Sequence, residues 1–486
     1  MSDVKKKQLC CGAIQLNPGI STANYGAMVF HNICVGFFLN GIELLQQILL
    51  SDPDYYNLAP ESAIEKNANI TLFDLIVRLL FAMLYGTLID KLGRKRMIFI
   101  GYTLTGLGIA LFPVHGYSEN FHNLFPWYYF ARFIYANGTS IILLMPFVAD
   151  YIEDKSKGKA TGINAVSLAA GFLLGTTIIK GLYNRDLDLK YICWIVGGII
   201  LVCGISYSAL LKGGSEYYKV VQTDNNLESV LGDSESARES STQAEPPKAN
   251  FKQVKRALKE RPWIKASFVF ALLNGANLGI VSQILNLFVR SLSPSVSEDA
   301  GSQIVQYANI AGLVATIVFG FLLDYISPFY IGVFVLLLGS SGYSFAWVIQ
   351  SPDDAALIFL AVAAGISYSS CQLLMNYLGF VHYPNQIRGR LYAMANFISF
   401  FGNLLITVIG GNLVEVDEYV PFYLIAGCCV IGLITFVVLK FTVIQRWEKT
   451  RKESTLEPFL TTVKNNHKNI NDTSFKDQSI VSLTAN

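Results

Sequence analysis

Four ionisable side chains stand inside long apolar runs of this sequence: Glu43, Asp74, Arg78 and Arg132. An ion in hydrocarbon is costly unless it is paired or wetted, so each is a candidate site group. Asp74 and Arg78 are one helical turn apart and can pair along a single face. Together the four sum to zero charge. Two readings stay open, a structural network locking the first half of the chain or a solute or proton site. Amides form a second set. Asn274 and Asn277 are three apart, as are Gln283 and Asn286. That spacing can turn each pair toward one side of a helix, where amides bind hydroxyls or carboxylates. Gln46, Gln47, Gln372 and Asn376 offer the same chemistry. Amides also join helices without binding anything, and that reading has equal weight. His382, at the end of an apolar run, can titrate near neutral pH or simply be solvated.

The elements that must position these groups follow from composition. The 486 residues are 52% hydrophobic and 15% charged, with a mean hydropathy of +0.42; soluble domains carry about 25% charge. This excludes an ordinary cytosolic enzyme and points to lipid as the solvent. A net charge of +2 supplies no basic field for nucleic acid. Cys34, Cys193, Cys203, Cys371, Cys428 and Cys429 lie in apolar stretches, where a thiol behaves as a small hydrophobe, so no disulfide framework is expected. Cys10 and Cys11 follow Lys5 to Lys7, either as an acylated basic tail or as two idle thiols. The first apolar run starts too late for a removable signal peptide.

A window of about nineteen residues yields about twelve spans, six between Tyr25 and Leu211 and six between Trp263 and Val443. Each must be a helix, because unpaired backbone cannot face lipid. The expected fold is therefore an all-α integral membrane protein. Its parts would be an N-terminal tail (1–22), a six-helix bundle (23–212), a linker (213–262), a second six-helix bundle (263–446) and a C-terminal tail (447–486). The linker is Ser-rich and acidic, then basic and amphipathic near 250–261, suiting a helix on the inner leaflet. Lys and Arg cluster in alternate loops, at Lys91 with Arg94 to Arg96, at Lys155 to Lys159, and at Arg388 with Arg390. Positive loops stay cytoplasmic, so both termini are expected there, in a plasma membrane or an endomembrane. Lys180, Arg185 and Lys190 are the exception, partly balanced by Asp186 and Asp188. The five tryptophans fall near span ends, at headgroup level. Asn69-Ile70-Thr71 is a glycosylation sequon in an outer loop, whereas Asn137-Gly138-Thr139 lies inside a span.

The two halves repeat one another. GTLIDKLGRKR after the second span matches GFLLDYISPFY around the end of the eighth, aligning Gly86 with Gly320 and Asp90 with Asp324. Likewise Lys157-Gly158-Lys159 aligns with Arg388-Gly389-Arg390. Gly86, Asp90, Gly93, Arg94, Lys95 and Arg96 satisfy every position of G-x-x-x-D-x-x-G-R-[KR]-[KR], and in this the chain resembles the major facilitator superfamily. The resemblance implies two pseudo-symmetric six-helix bundles that rock about a central cavity. It also implies that Asp90 is held by the positive end of a helix in the other half and by Arg94, with Asp150 as a third member of this inner gate. Gly320, Asp324 and Arg388 would form the second-half gate, unequal to the first because Ser327 and Pro328 replace the expected glycine and arginine. The competing reading makes Arg94 to Arg96 topology anchors only. Since spans one and four line the cavity in the family, Glu43 and Arg132 lean toward function.

The branch is harder to read. Tyr383, Pro384, Arg388 and Gly389 resemble the sugar-porter and organic-ion-porter pattern E-x-[FY]-P-x-x-x-R-G, but Val381 takes the glutamate position. Gly275-Ala276-Asn277 is similar to a sugar-porter G-x-N, with Ala271 and Leu272 in place of paired glutamines. Gly171 and Gly175 lack a Gly-Pro pair, which argues against the drug and proton antiporter branch. The expectation is a transporter of a small organic solute by alternating access, with proton coupling through Glu43 or Asp74. Lipid bilayer, solute and protons are the expected partners, with no nucleic acid, cofactor or metal. The alternative is a non-transporting solute sensor or membrane scaffold. Neither a His-rich cluster nor a nucleophile elbow nor a phosphate-cradling loop supports an enzyme.

Overall fold

A computed structural model of the chain describes residues 8–9, 14–58, 60–114, 124–144, 147–153, 156–183, 185, 187–212, 251–292, 298–352, 354, 355–384, 387–410 and 417–449. Within the helices, the side chains of Gln47, Asp90, Gln283 and Asn286 lie outside the described residues.

The first six spans are α1 (Thr22–Leu50), α2 (Pro60–Leu92), α3 (Arg94–Ala110), α4 (Tyr129–Leu143), α5 (Lys157–Tyr183) and α6 (Leu189–Leu210). A short helix, Phe147–Tyr151, follows α4. After the linker helix Phe251–Glu260 come α7 (Trp263–Ser282, continued by Leu285–Leu292), α8 (Glu298–Leu322), α9 (Pro328–Ser344), α10 (Ala355–His382), α11 (Arg388–Leu405) and α12 (Val420–Leu439). Ten of the twelve are long and apolar enough to cross a membrane. The other two are α3, 17 residues opening on three basic side chains, and α4, 15 residues.

Local chemistry sets the helix starts. Ser21 accepts the N–H of Asn24 at 3.2 Å while the Asn24 side chain accepts the N–H of Ser21 at 2.8 Å, a reciprocal cap for α1. Gly93 turns the chain from α2 into α3 at φ +86°, a conformation that a side chain would strain. In the second half Ser327 caps α9 and Pro328 occupies its first turn, so the degraded repeat is an ordinary helix start rather than a basic turn. Both α1 and α7 contain a widened π turn near mid-span, Phe37–Gly41 and Ile280–Ile284. Such turns disturb the hydrogen-bond ladder and recur at functional sites.

Each half buries its own apolar core, and the linker helix joins the first through Val254 and Ala257. Large apolar side chains such as Leu80, Phe130, Val202, Ile431 and Phe441 are more than half exposed around the outside, as a lipid-facing surface requires. At one end the halves meet. Phe380, Tyr383, Leu391 and Tyr392 of the second half join the first core there, and Ala393 packs with Tyr85, Ile89 and Met97.

Ahead of α1, part of the N-terminal segment is extended rather than helical. Gln8–Leu9 pairs with Ile14–Gln15, and Leu16 bridges Ile152 in antiparallel fashion. Asn17 N–H donates to the Tyr151 carbonyl at 2.9 Å, and Glu153 N–H donates to the Gln15 carbonyl at 3.0 Å. Ile14, Leu16 and Ile20 are buried. Ile14 and Leu16, two apart along the extended segment, give it one face to bury, which explains why it docks.

Candidate functional site

Two polar junctions, one buried and one partly buried, hold the halves together at the closed end. In the first, one Asp150 carboxylate accepts Arg94 Nε at 3.1 Å on Oδ2 and Arg388 Nη1 at 2.8 Å on Oδ1. Arg94 opens α3 in the first half and Arg388 opens α11 in the second. All three side chains are nearly excluded from solvent, so removing the carboxylate would leave two buried cations without it. Lys157 adds a donor across the same divide, from Nζ to the Phe380 carbonyl at 2.8 Å. Asn17 of the docked strand supports the junction from outside, Nδ2 donating to the Asp150 carbonyl at 3.0 Å.

The second junction uses a helix end. The Asp324 carboxylate accepts Gly158 N–H at 3.0 Å and Lys159 N–H at 3.3 Å, at the first turn of α5. Free N–H groups and the helix dipole favour an anion there. A Cβ on Gly158 would sit 2.5 Å from Asp324 Oδ1, so glycine is needed for the approach. Partial burial pushes the Asp324 carboxyl above its ordinary value; the two N–H bonds and the Lys159 charge oppose that rise without cancelling it. The helices beside both junctions also touch at backbone level. A Cβ on Gly86 would meet Ala393 Cβ at 2.3 Å, and one on Gly320 would meet Gly162 Cα at 2.7 Å.

Farther along the helices lies a cavity of about 170 Å³ between the halves. Asp74 is twelve residues from Gly86, about 18 Å at helical rise. Glu43, Asp74, Arg78 and Arg132 form one wall; Ser282, Asn309, Tyr368 and Asn403 lie on the other. Arg132 and Asp74 are ion-paired through Nη2 and Oδ2, with Nε at 3.4 Å from Oδ1. The guanidinium also lies over the rings of Tyr135 at 4.7 Å and Phe112 at 5.1 Å. Asp74 thus pairs across helices with Arg132 and not along α2 with Arg78: a two-point fork held against aromatic faces is stronger than a pair of neighbours on one helix. Arg78 Nε and Arg132 Nη1 are left without a hydrogen-bond partner, and the Glu43 side chain is exposed to the cavity.

The model of the Major Facilitator Superfamily matches residues 61–407. The chain belongs to the major facilitator superfamily. A transporter of this superfamily is a multi-pass membrane protein that moves solutes, not an enzyme, and its fold is the two-domain, twelve-helix arrangement seen here. Two sequence relatives are Multidrug resistance protein 1 of Bacillus subtilis, 21% identical over 369 residues, and MdtG of Escherichia coli, 22% identical over 377 residues. The first covers 75% of this chain and 85% of the relative; the second covers 76% and 80%. Among solved structures, FucP in the outward conformation is similar with a TM-score of 0.60 and 15% identity, covering 84% of this chain and 98% of that one. The proton:xylose symporter XylE gives 0.62 and 14%, covering 86% and 95%. At these identities the structural likeness shows the fold.

The residues singled out in the sequence do not all converge on one site. Arg94, Asp150 and Arg388 come together, but Asp150 is the hub, and Arg388 joins it rather than Asp324. Lys95 and Arg96 are exposed, as anchors would be. The Asp90 side chain lies outside the described residues, as do those of Gln283 and Asn286. Asn274 and Asn277 turn into the second bundle, contrary to a cavity-facing role. Asn274 donates to Ser399 Oγ at 3.1 Å, while Asn277 accepts Tyr343 Oη at 2.5 Å. Gln46 likewise bonds Asn67 at 2.5 Å. Gln372 and Asn376 are half-buried outside the cavity lining, and Tyr392 Oη donates to the Asn376 carbonyl. His382 stacks on Trp263 with ring centroids 5.7 Å apart. Asn309, Tyr368 and Asn403 were not singled out from the sequence, although Gln303, Gln306 and Asn309 stand three apart, the spacing that marked Asn274 and Asn277.

Proposed function

We propose that this chain binds a small organic solute in the four-charge cavity and carries it across the membrane by alternating access, with the Asp150 and Asp324 junctions as the inner gate. The observation that carries this reading is the single Asp150 carboxylate shared by Arg94 and Arg388 of opposite halves. Opening the closed end must break it, so it biases a two-state equilibrium. The closed end faces the cytoplasm in this reading, since Lys91, Arg94 to Arg96, Arg388 and Arg390 all flank it.

Proton coupling is assigned to Glu43, the cavity carboxylate outside the Asp74–Arg132 pair. The names of the relatives, drug-resistance proteins and a proton:xylose symporter, are compatible with a proton-linked carrier and do not choose the solute. The test is uptake into liposomes by the purified chain, with and without a pH gradient. Solute flux that responds to the gradient, and a response lost in Glu43→Gln, is the expected outcome. Binding without flux in any gradient would favour a solute sensor instead.

A further inference from the structure

The charges of the cavity are unequal in what they have left to offer, and that inequality bears on the solute. Asp74 and Arg132 are ion-paired with each other, with Arg132 Nη1 left without a hydrogen bond, and Arg132 is further held by Tyr135 and Phe112. Glu43 and Arg78 have no ion-pair partner among the described residues, yet both line the same cavity. Glu43 on α1 can carry a negative charge and Arg78 on α2 a positive one, so with Glu43 ionised the empty site is neutral overall, with one charge of each sign outside the Asp74–Arg132 pair.

A solute with a single charge would satisfy one of them and unbalance the site, and an uncharged solute would satisfy neither. Leaving a desolvated charge unmatched is costly, and that cost discriminates among solutes. A solute carrying both signs matches both and keeps the site neutral. The rest of the lining supports the same class. Leu39, Leu75, Val281 and Val305 offer an apolar flank for a short carbon skeleton, while Asn309 and Tyr368 offer hydrogen bonds from the other half. A cavity near 170 Å³ suits a small molecule; an engineered protein cavity of about 150 Å³ takes benzene.

We propose that the cavity selects small zwitterionic solutes, with Glu43 receiving the cationic end and Arg78 the anionic end. This rests on the transport reading above and names its substrate class. Solute ammonium and proton then compete for one carboxylate, which links recognition to the proposed coupling.

The experiment uses the full chain in liposomes and in detergent, with alanine, β-alanine and γ-aminobutyrate as zwitterions of increasing charge separation. Propionate, propylamine and xylose serve as the anionic, cationic and uncharged probes. At least one zwitterion should be taken up and bound in preference to all three controls. Arg78→Gln and Glu43→Gln should each weaken its binding roughly tenfold to a hundredfold. Arg78→Gln should shift preference toward propylamine and Glu43→Gln toward propionate, whereas Arg78→Lys should keep zwitterion uptake. The opposite shifts in preference separate recognition from a folding defect, which would weaken every probe alike. Uptake of xylose, propionate or propylamine with no zwitterion flux overturns the zwitterion assignment and leaves transport standing. No flux of any probe, with the purified chain folded, counts against both.

Discussion

Asp150 was legible in the sequence as an acid at the inner end of a span, but its weight comes from the two arginines that converge on it. Their sharing of one carboxylate makes a sharp prediction. Asp150→Ala should destabilise the closed end by about 3–5 kcal/mol, the usual cost of unpairing buried charge, and reduce uptake at least tenfold. Asp150→Asn, which keeps the shape, should cost less. In a double-mutant cycle with Arg388→Gln the effects should be strongly non-additive; additive losses would mean the two do not act together. Asp324 makes a pH prediction. Its carboxyl is raised above the ordinary 3.8 at the closed end, so that end holds the proton more tightly than an opened, solvated one would. Acidification from neutral pH into the carboxylate range should therefore favour the closed end, and raising the pH should release that preference. Accessibility of an engineered cysteine at the junction, followed against pH, measures it. Asp324→Asn should lose the dependence in that range; an unchanged profile would assign it elsewhere.

At the scale of elements, the gate depends on how closely helices from opposite halves approach. Gly86 stands against Ala393 and Gly389 on α11, with no room for a larger side chain. Gly86→Val should push α2 away from α11 and open that end, seen as a longer distance between spin labels on the two helices, with transport falling in step. A label distance equal to the parent's would contradict the close approach. The docked N-terminal strand is a second element at that closed end. Asn17→Ala should remove one hydrogen bond to the Asp150 carbonyl, about 1 kcal/mol, and lower the thermal stability slightly while leaving the strand paired through its backbone. A sequence reading takes this segment for a tail because it is short and preceded by lysines. Its docking depends on Tyr151 and Glu153, more than a hundred residues away, which no local pattern reports.

For the whole molecule, alternating access requires that the closed end come apart in every cycle. Lys159 and Tyr325 face each other across the halves, Lys159 Nζ lying 5.5 Å from the ring. In a background without native cysteines, Lys159→Cys with Tyr325→Cys, joined by a short reducible cross-linker, should arrest uptake while solute binding persists, and reduction should restore flux. Full transport with the cross-link in place would exclude rocking of the two halves.

Spans, halves and the gate signature were open to reading because each is a local property. Hydropathy runs answer to the thickness of lipid, charged loops to its interfaces, and Gly86 to Arg96 is one contiguous turn between helices. Ion-pair partners were not open to it. Asp74 had Arg78 one turn away and takes Arg132, 58 positions off, while Asp150 takes Arg388 across 238. Asn277 had cavity spacing and takes Tyr343. A helix periodicity tells which residues share a face but not what that face meets, because the neighbour is chosen by the packing of helices far apart in the chain. The sequence alone therefore determined a twelve-span carrier; only tertiary structure decided which charges pair across the two halves and which line the cavity without an ion pair.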